Sequence, residues 1–121
     1  MAEVISKVTI ITRREKFHEL RDALNAIGIT GMTVTMVEGS GIQKGTIRIY
    51  RGVKEEIRLM PKIKLEMIVC EVPVQSVIDT ALRVLRTGKI GDGKIFVTEQ
   101  ARVVKVRTGE EGGAALVDAE E

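Results

Sequence analysis

Twice along this chain a segment that alternates like a strand is followed by an apolar stripe at helical spacing. That repeated order is the tightest constraint on how the chain folds. Ile5 to Ile11 sets Ile5, Val8, Ile10 and Ile11 among Ser6, Lys7 and Thr9, which predicts a strand. Glu15 to Ile27 then places Phe17, Leu20, Leu24 and Ile27 one helical turn apart, with Gly28 as the stop. Thr33 to Val37 predicts a second strand. Pro61 to Val72 predicts a third, with Ile63, Leu65, Met67 and Val69 on one face. Pro73 opens a helix through Arg86 whose stripe is Val74, Val77, Ile78, Ala81, Leu82 and Leu85. Ile95 to Thr98 predicts a fourth strand and Arg102 to Val106 a short fifth one.

The order is β-α-β, a long connection, β-α-β and a short C-terminal strand. Two such halves make an α+β, ferredoxin-like βαββαβ sandwich: one antiparallel sheet with both helices on one face. The 121 residues suit a single domain, expected over residues 1–112. The connection at 38–60 is far longer than a hairpin needs, and such a loop is usually functional or disordered. It is also the most basic region. Between Ser40 and Lys64 the net charge is +5, whereas Thr108 to Glu121 carries −5. The Gly-Gly-Ala-Ala composition there predicts a flexible acidic tail over 113–121.

Several function classes lack the residues they need. Phe17, Tyr50 and Phe96 are the only aromatics and the net charge is +2, so a stacking platform for nucleic acid is not expected. Cys70 is the only cysteine, which rules out an intrachain disulfide and points to a reducing compartment. It follows the apolar run Leu65 to Val69, as a buried inert thiol would. His18 is the only histidine and has no cysteine or carboxylate cluster beside it, so no metal site of that kind is predicted. No stretch approaches the ~20 apolar residues that span a bilayer. Met1 to Lys7 includes Glu3 and lacks an apolar run, unlike a signal peptide. A cytoplasmic protein is expected, reaching a membrane only through a partner.

Three clusters combine glycine with basic residues. Gly39-Ser40-Gly41-Ile42-Gln43-Lys44-Gly45 follows the second strand. Its glycines let backbone N–H groups approach an anion and Lys44 adds charge, although a flexible turn has the same composition. It has neither the Walker A spacing nor the helix that a dinucleotide fingerprint requires. Thr87-Gly88-Lys89-Ile90-Gly91-Asp92-Gly93-Lys94 joins the second helix to the fourth strand. Gly88 fits a helix C-cap, but Gly91 and Gly93 do not, and the flanking lysines favour an anion nest. Lys105-Val106-Arg107-Thr108-Gly109-Glu110 would put Lys105 and Arg107 on one face of a strand, which also describes an ordinary basic surface. Together the three suggest a polyphosphate site.

These clusters, with Thr33-Val34-Thr35, Tyr50-Arg51-Gly52 and Leu59-x-Pro61-Lys62-x-Lys64-x-Glu66, resemble the nitrogen-regulatory P-II signal-transduction family from about Ser6 to Glu111. Thr87 to Val97 matches as eleven contiguous residues. The resemblance implies a homotrimer with a long T-loop, here 39–60, and ATP or ADP bound in clefts between subunits. It assigns the adenine wall to Ile11, Gly31, Met32, Thr33, Glu66 and Ile68. It assigns the phosphates to Gly39, Ser40, Gly41, Ile42, Gln43, Lys89, Ile90, Gly91, Asp92, Gly93, Lys94, Lys105 and Arg107. 2-Oxoglutarate would bind with Mg-ATP near Ser40, Gln43, Lys44, Gly45, Lys62, Ile90 and Gly91. Gln43 would reach the Mg²⁺ and Lys62 would pair with a carboxylate. Without those ligands Lys62 is expected to be a solvated cation.

The chain departs from the family pattern at four places. The residue after Gly41 is usually an arginine and here is Ile42, which removes a bidentate phosphate donor. The arginine usual two positions before Arg107 is Lys105. The tyrosine that enteric-type relatives uridylylate is Glu55 here, and the serine phosphorylated in some cyanobacterial relatives is Val53. Regulation by small molecules alone is therefore expected. Tyr50, Arg51 and Gly52 would contact the target, an ammonium transporter or another nitrogen-metabolism protein. The expected role is a regulator rather than an enzyme. The competing readings are a nucleotide-hydrolysing enzyme, for which Asp92 and Glu66 are the candidate bases, or control of a biosynthetic or nitrogen-fixation enzyme.

Overall fold

A computed structural model describes residues 4–40, 59–100 and 102–117, and the backbone of the pairs 49–50 and 53–54. Strand β1 (Ser6–Arg13) runs through a 3₁₀ turn, Arg14–Lys16, into helix α1 (Phe17–Ala26). Strand β2 (Thr33–Gly39) follows. The short strands β3 (Ile49–Tyr50) and β4 (Val53–Lys54) pair with each other, Tyr50 opposite Val53. Strand β5 (Met60–Val69), helix α2 (Val74–Leu85) and strand β6 (Lys94–Glu99) complete the main elements.

The main sheet is antiparallel in the order β2-β5-β1-β6, the ferredoxin-like arrangement expected from the repeated halves. Burial alternates along the two central strands because one face carries both helices. Val8, Ile10 and Thr12 of β1, with Ile63, Leu65, Met67 and Val69 of β5, point into the core. Leu20 and Leu24 of α1 and Val77, Ala81, Val84 and Leu85 of α2 close over them. The opposite face presents Lys7, Thr9, Ile11 and Arg13 beside Lys62, Lys64, Glu66 and Ile68. Polar and apolar side chains thus share the uncovered face, and its strand ends carry the site.

Four expectations need correction. The first helix starts at Phe17, because Arg14–Lys16 wind more tightly as a 3₁₀ turn. The third long strand stops at Val69, since Cys70 to Val72 bend towards α2. Leu82 is 38% exposed: the buried stripe of α2 centres on Ala81, which turns Leu82 towards its rim. Arg102 to Val106 forms no strand. Gln100 N–H donates to the Ile5 carbonyl at 2.8 Å, and the chain then closes on itself through Lys105 N–H to Glu110 O (2.8 Å) and Gly109 N–H to Lys105 O (2.7 Å). Only the bridge between Val104 and Glu111 remains. A 3₁₀ helix, Gly112–Leu116, follows this bridge.

Candidate functional site

The Thr87–Lys94 segment folds around the Asp92 carboxylate. Thr87 donates to it from Oγ1 at 2.5 Å and from its backbone N–H at 2.8 Å, and Gly88 N–H donates at 3.0 Å. Arg13 Nη1 completes the set at 2.6 Å. These donors, led by the Thr87 hydroxyl and the Arg13 guanidinium, hold the Asp92 carboxyl well below the usual carboxylate range. Asp92 therefore acts as the hub that shapes the loop. Gly93 is required at its position: φ is +106°, and an added Cβ would lie 1.9 Å from the Ile11 carbonyl oxygen. The backbone thereby passes directly over the end of β1.

Side chains at the neighbouring strand ends brace this loop. Thr12 Oγ1 donates to the Asp92 carbonyl at 2.8 Å, and Arg13 Nη2 to the Ile90 carbonyl at 3.0 Å. Lys62 Nζ donates to the Gly91 carbonyl at 2.8 Å, which corrects the picture of a merely solvated cation. Gly91, also at φ +106°, leaves room for Arg13, since a Cβ there would meet Nη2 at 2.9 Å. A cavity of about 570 Å³ opens beside the loop, lined by Ile11, Gly39, Ser40, Met60, Lys62, Phe96 and the run Lys89 to Lys94. Three lysines at its wall and one internally neutralised carboxylate suit an anionic ligand. Ile90 is 72% exposed at this wall.

The other candidate residues gather elsewhere. Gly31, Met32, Thr33, Glu66 and Ile68 line a second cavity of about 440 Å³, which Gly113, Ala115 and Leu116 of the C-terminal 3₁₀ helix and Val117 just after it border. Lys105 Nζ donates to the Val117 carbonyl, so Lys105 belongs to this end of the sheet, and Arg107 follows it in the turn at 106–108. Lys7 Nζ contacts Glu66 at 2.6 Å, with Lys64 at 3.8 Å. The Lys7 hydrogen bond outweighs the opposing desolvation and holds Glu66 below its ordinary value. Ile11 is thus separated from the rest of the expected adenine wall. Lys62 and Ile68, one at each cavity, stand six residues apart on β5, about 20 Å along the strand. Gly41, Ile42, Gln43, Lys44, Gly45, Arg51 and Gly52 lie outside the described residues, as does the side chain of Tyr50.

The model of the family described as nitrogen regulatory protein P-II matches residues 5–110. This chain belongs to that P-II family. A Klebsiella oxytoca nitrogen regulatory protein P-II is 47% identical over 93% of this chain and 100% of its own length. A Bacillus subtilis nitrogen regulatory PII-like protein is 47% identical over 96% and 100%. Among solved structures, the B. subtilis GlnK–ATP complex superposes with a TM-score of 0.81 at 43% identity, covering 96% of this chain and 99% of that one. Arabidopsis thaliana PII bound to citrate superposes at 0.76 with 35% identity, covering 100% and 96%.

Within this P-II chain, Thr12, Arg13 and Arg14 brace the site from outside its motifs and were not singled out by pattern. Only the run Thr12-Arg13-Arg14 at a strand end hinted at them. Their partners lie 23 to 80 residues away, beyond the reach of local pattern. Among the described residues, no three His, Cys, Asp or Glu side chains are grouped to hold a metal ion. No described helix is long and apolar enough to cross a membrane.

Proposed function

We propose that this P-II regulator senses ATP, ADP and 2-oxoglutarate at sites formed between copies of a homotrimer, and signals through the 39–60 loop. The supporting observation is the division of the candidate residues between two cavities at opposite ends of β5. A nucleotide that uses both sets must take one from each of two copies. Contact between two different patches is heterologous, and such contacts form a ring when the rotation between copies closes. The trimer count comes from the family resemblance. That a B. subtilis relative was solved with ATP and an Arabidopsis relative with citrate agrees with polyanion binding at this site.

In the proposed complex, Lys89, Lys94 and the glycine N–H groups of the 87–94 loop face the phosphates, and the second cavity of the neighbouring copy receives the base. Mg²⁺ would neutralise part of the phosphate charge. Lys62 would exchange its bond to the Gly91 carbonyl for a 2-oxoglutarate carboxylate, which links that ligand to the root of the 39–60 loop. A ligand moves such a loop only by binding its conformations unequally. ADP or ATP alone would favour docking on the target, and Mg-ATP with 2-oxoglutarate would release it. The target is an ammonium transporter or another nitrogen-metabolism protein met in the cytoplasm. Hydrolysis is the weaker reading, because both candidate bases, Asp92 and Glu66, are paired and held in the weakly basic form.

Isothermal titration with ATP, with ADP, and with 2-oxoglutarate in the presence and absence of Mg-ATP tests the proposal. It predicts one nucleotide per chain, and heat from 2-oxoglutarate only when Mg-ATP is present. Light scattering should give three times the monomer mass. A monomer that binds no nucleotide would refute the reading.

A further inference from the structure

Arg13 and Arg14 are neighbours in sequence, yet their guanidinium groups serve two different parts of the site. Arg13 spans the 87–94 loop, donating to the Asp92 carboxylate at 2.6 Å and to the Ile90 carbonyl at 3.0 Å. Arg14 reaches the opposite way, Nε donating to the Lys62 carbonyl at 3.0 Å and Nη2 to the Val37 carbonyl at 3.1 Å. Val37 and Lys62 face each other in the β2–β5 ladder, near the end of the sheet where the two strands part into the 39–60 loop. Lys62 closes a ring of contacts, since its Nζ donates to the Gly91 carbonyl.

We infer that the Arg13–Arg14 pair is a positioning element that couples the 87–94 loop to the root of the 39–60 loop. A guanidinium presents donors in a fixed planar fork and stays charged at all ordinary pH. Each arginine here uses that fork to bind two groups at once. Arg14 spans two strands, so it fixes their separation two residue pairs before the ladder ends at Gly39 and Met60. It also holds the Lys62 backbone while the ammonium changes partners, so that exchange at Nζ displaces the 87–94 loop rather than the end of β5. Arg13 receives that displacement at Ile90 and Asp92. The inference rests on the proposed ligand site, and its test separates the two.

The full chain and its Arg14→Gln, Arg14→Lys, Arg13→Gln and double Arg13→Gln/Arg14→Gln variants are titrated with ATP alone, and with 2-oxoglutarate in the presence of Mg-ATP. Amide exchange is followed in the ligand-free proteins. Arg14→Gln should bind ATP within about twofold of wild type but bind 2-oxoglutarate about tenfold more weakly, as loss of a charge-assisted pair predicts. Arg14→Lys should restore only part of that loss, because one ammonium lacks the fork. In the Arg13→Gln background the Arg14→Gln effect should shrink, which marks the two as coupled. Exchange in Arg14→Gln should rise both at 60–64 and at 89–92. Wild-type affinity for 2-oxoglutarate in Arg14→Gln, equal weakening of ATP alone, full rescue by lysine, or additive effects would each overturn the inference. A wild-type chain that ignores 2-oxoglutarate would defeat the ligand assignment instead. Exchange then decides the coupling, and a rise confined to 60–64 overturns it.

Discussion

Gly93→Ala tests whether the 87–94 loop depends on a close backbone crossing. The new Cβ would stand 1.9 Å from the Ile11 carbonyl oxygen, 2.9 Å from its carbon and 3.0 Å from Thr12 Cα. All three are backbone atoms of a central strand, so no side chain can swing aside. The loop must lift, beside the point where Lys94 pairs with Ile11. Two costs add: placing alanine at φ +106° costs about 1–2 kcal/mol, and the overlap costs about 1–3 kcal/mol. Their total of about 2–5 kcal/mol is a large part of an ordinary domain's ~5–15 kcal/mol. At about 4 °C per kcal/mol, the thermal midpoint should fall by about 8–20 °C. Circular dichroism at one fixed protein concentration reads it, since association shifts apparent stability. Gly88→Ala isolates the backbone cost: φ is +84° and nothing lies within 4 Å of its Cβ, so its fall should be about 4–8 °C. Gly31→Ala meets neither obstacle and should melt near wild type or slightly above it. If Gly93→Ala melts with Gly88→Ala, the crossing argument is wrong.

Further measurements address the ligands, acid stability and the target. Lys94→Ala should weaken ATP and ADP alike, by about 10- to 150-fold for a lost charge-assisted contact; an unchanged dissociation constant would place the phosphates elsewhere. Lys62→Ala should abolish 2-oxoglutarate binding, whereas ATP alone weakens only a few-fold, both read by calorimetry. The depressed Asp92 carboxyl contributes stability that is present above its unfolded value near pH 4 and is lost as pH falls through its lower folded value. Asp92→Asn should therefore be less stable at pH 7 and lose less than wild type on acidification to pH 2, measured as urea midpoints. If the proposed target is an ammonium transporter, Arg51→Ala should lose co-sedimentation with membranes that contain it, and undiminished binding would exclude Arg51 as the docking residue.

What the chain discloses in one dimension is what burial imposes locally. The alternation of Ile63, Leu65, Met67 and Val69 reveals the core face of β5 because adjacent residues on a strand must point to opposite faces. The same rule fails at Arg102 to Val106. Alternation there yields no strand, for among the described residues the main sheet ends at β6 and the segment hydrogen-bonds to the turn that follows it instead. Motifs mark the glycines and lysines of the 87–94 loop but not what holds it, because Asp92 meets Arg13 across 79 residues. That distance also changes what the motif means. Asp92 reads as a candidate base when only its neighbours are known. Once Thr87, Gly88 and Arg13 donate to it, its proton affinity has gone into loop geometry. The division between two cavities was equally hidden, since Ile11 and Ile68 carry the same apolar character and only strand register assigns them to opposite ends. Register gives one chain two cavities of unlike lining, and in the proposed nucleotide site each would be completed by another copy.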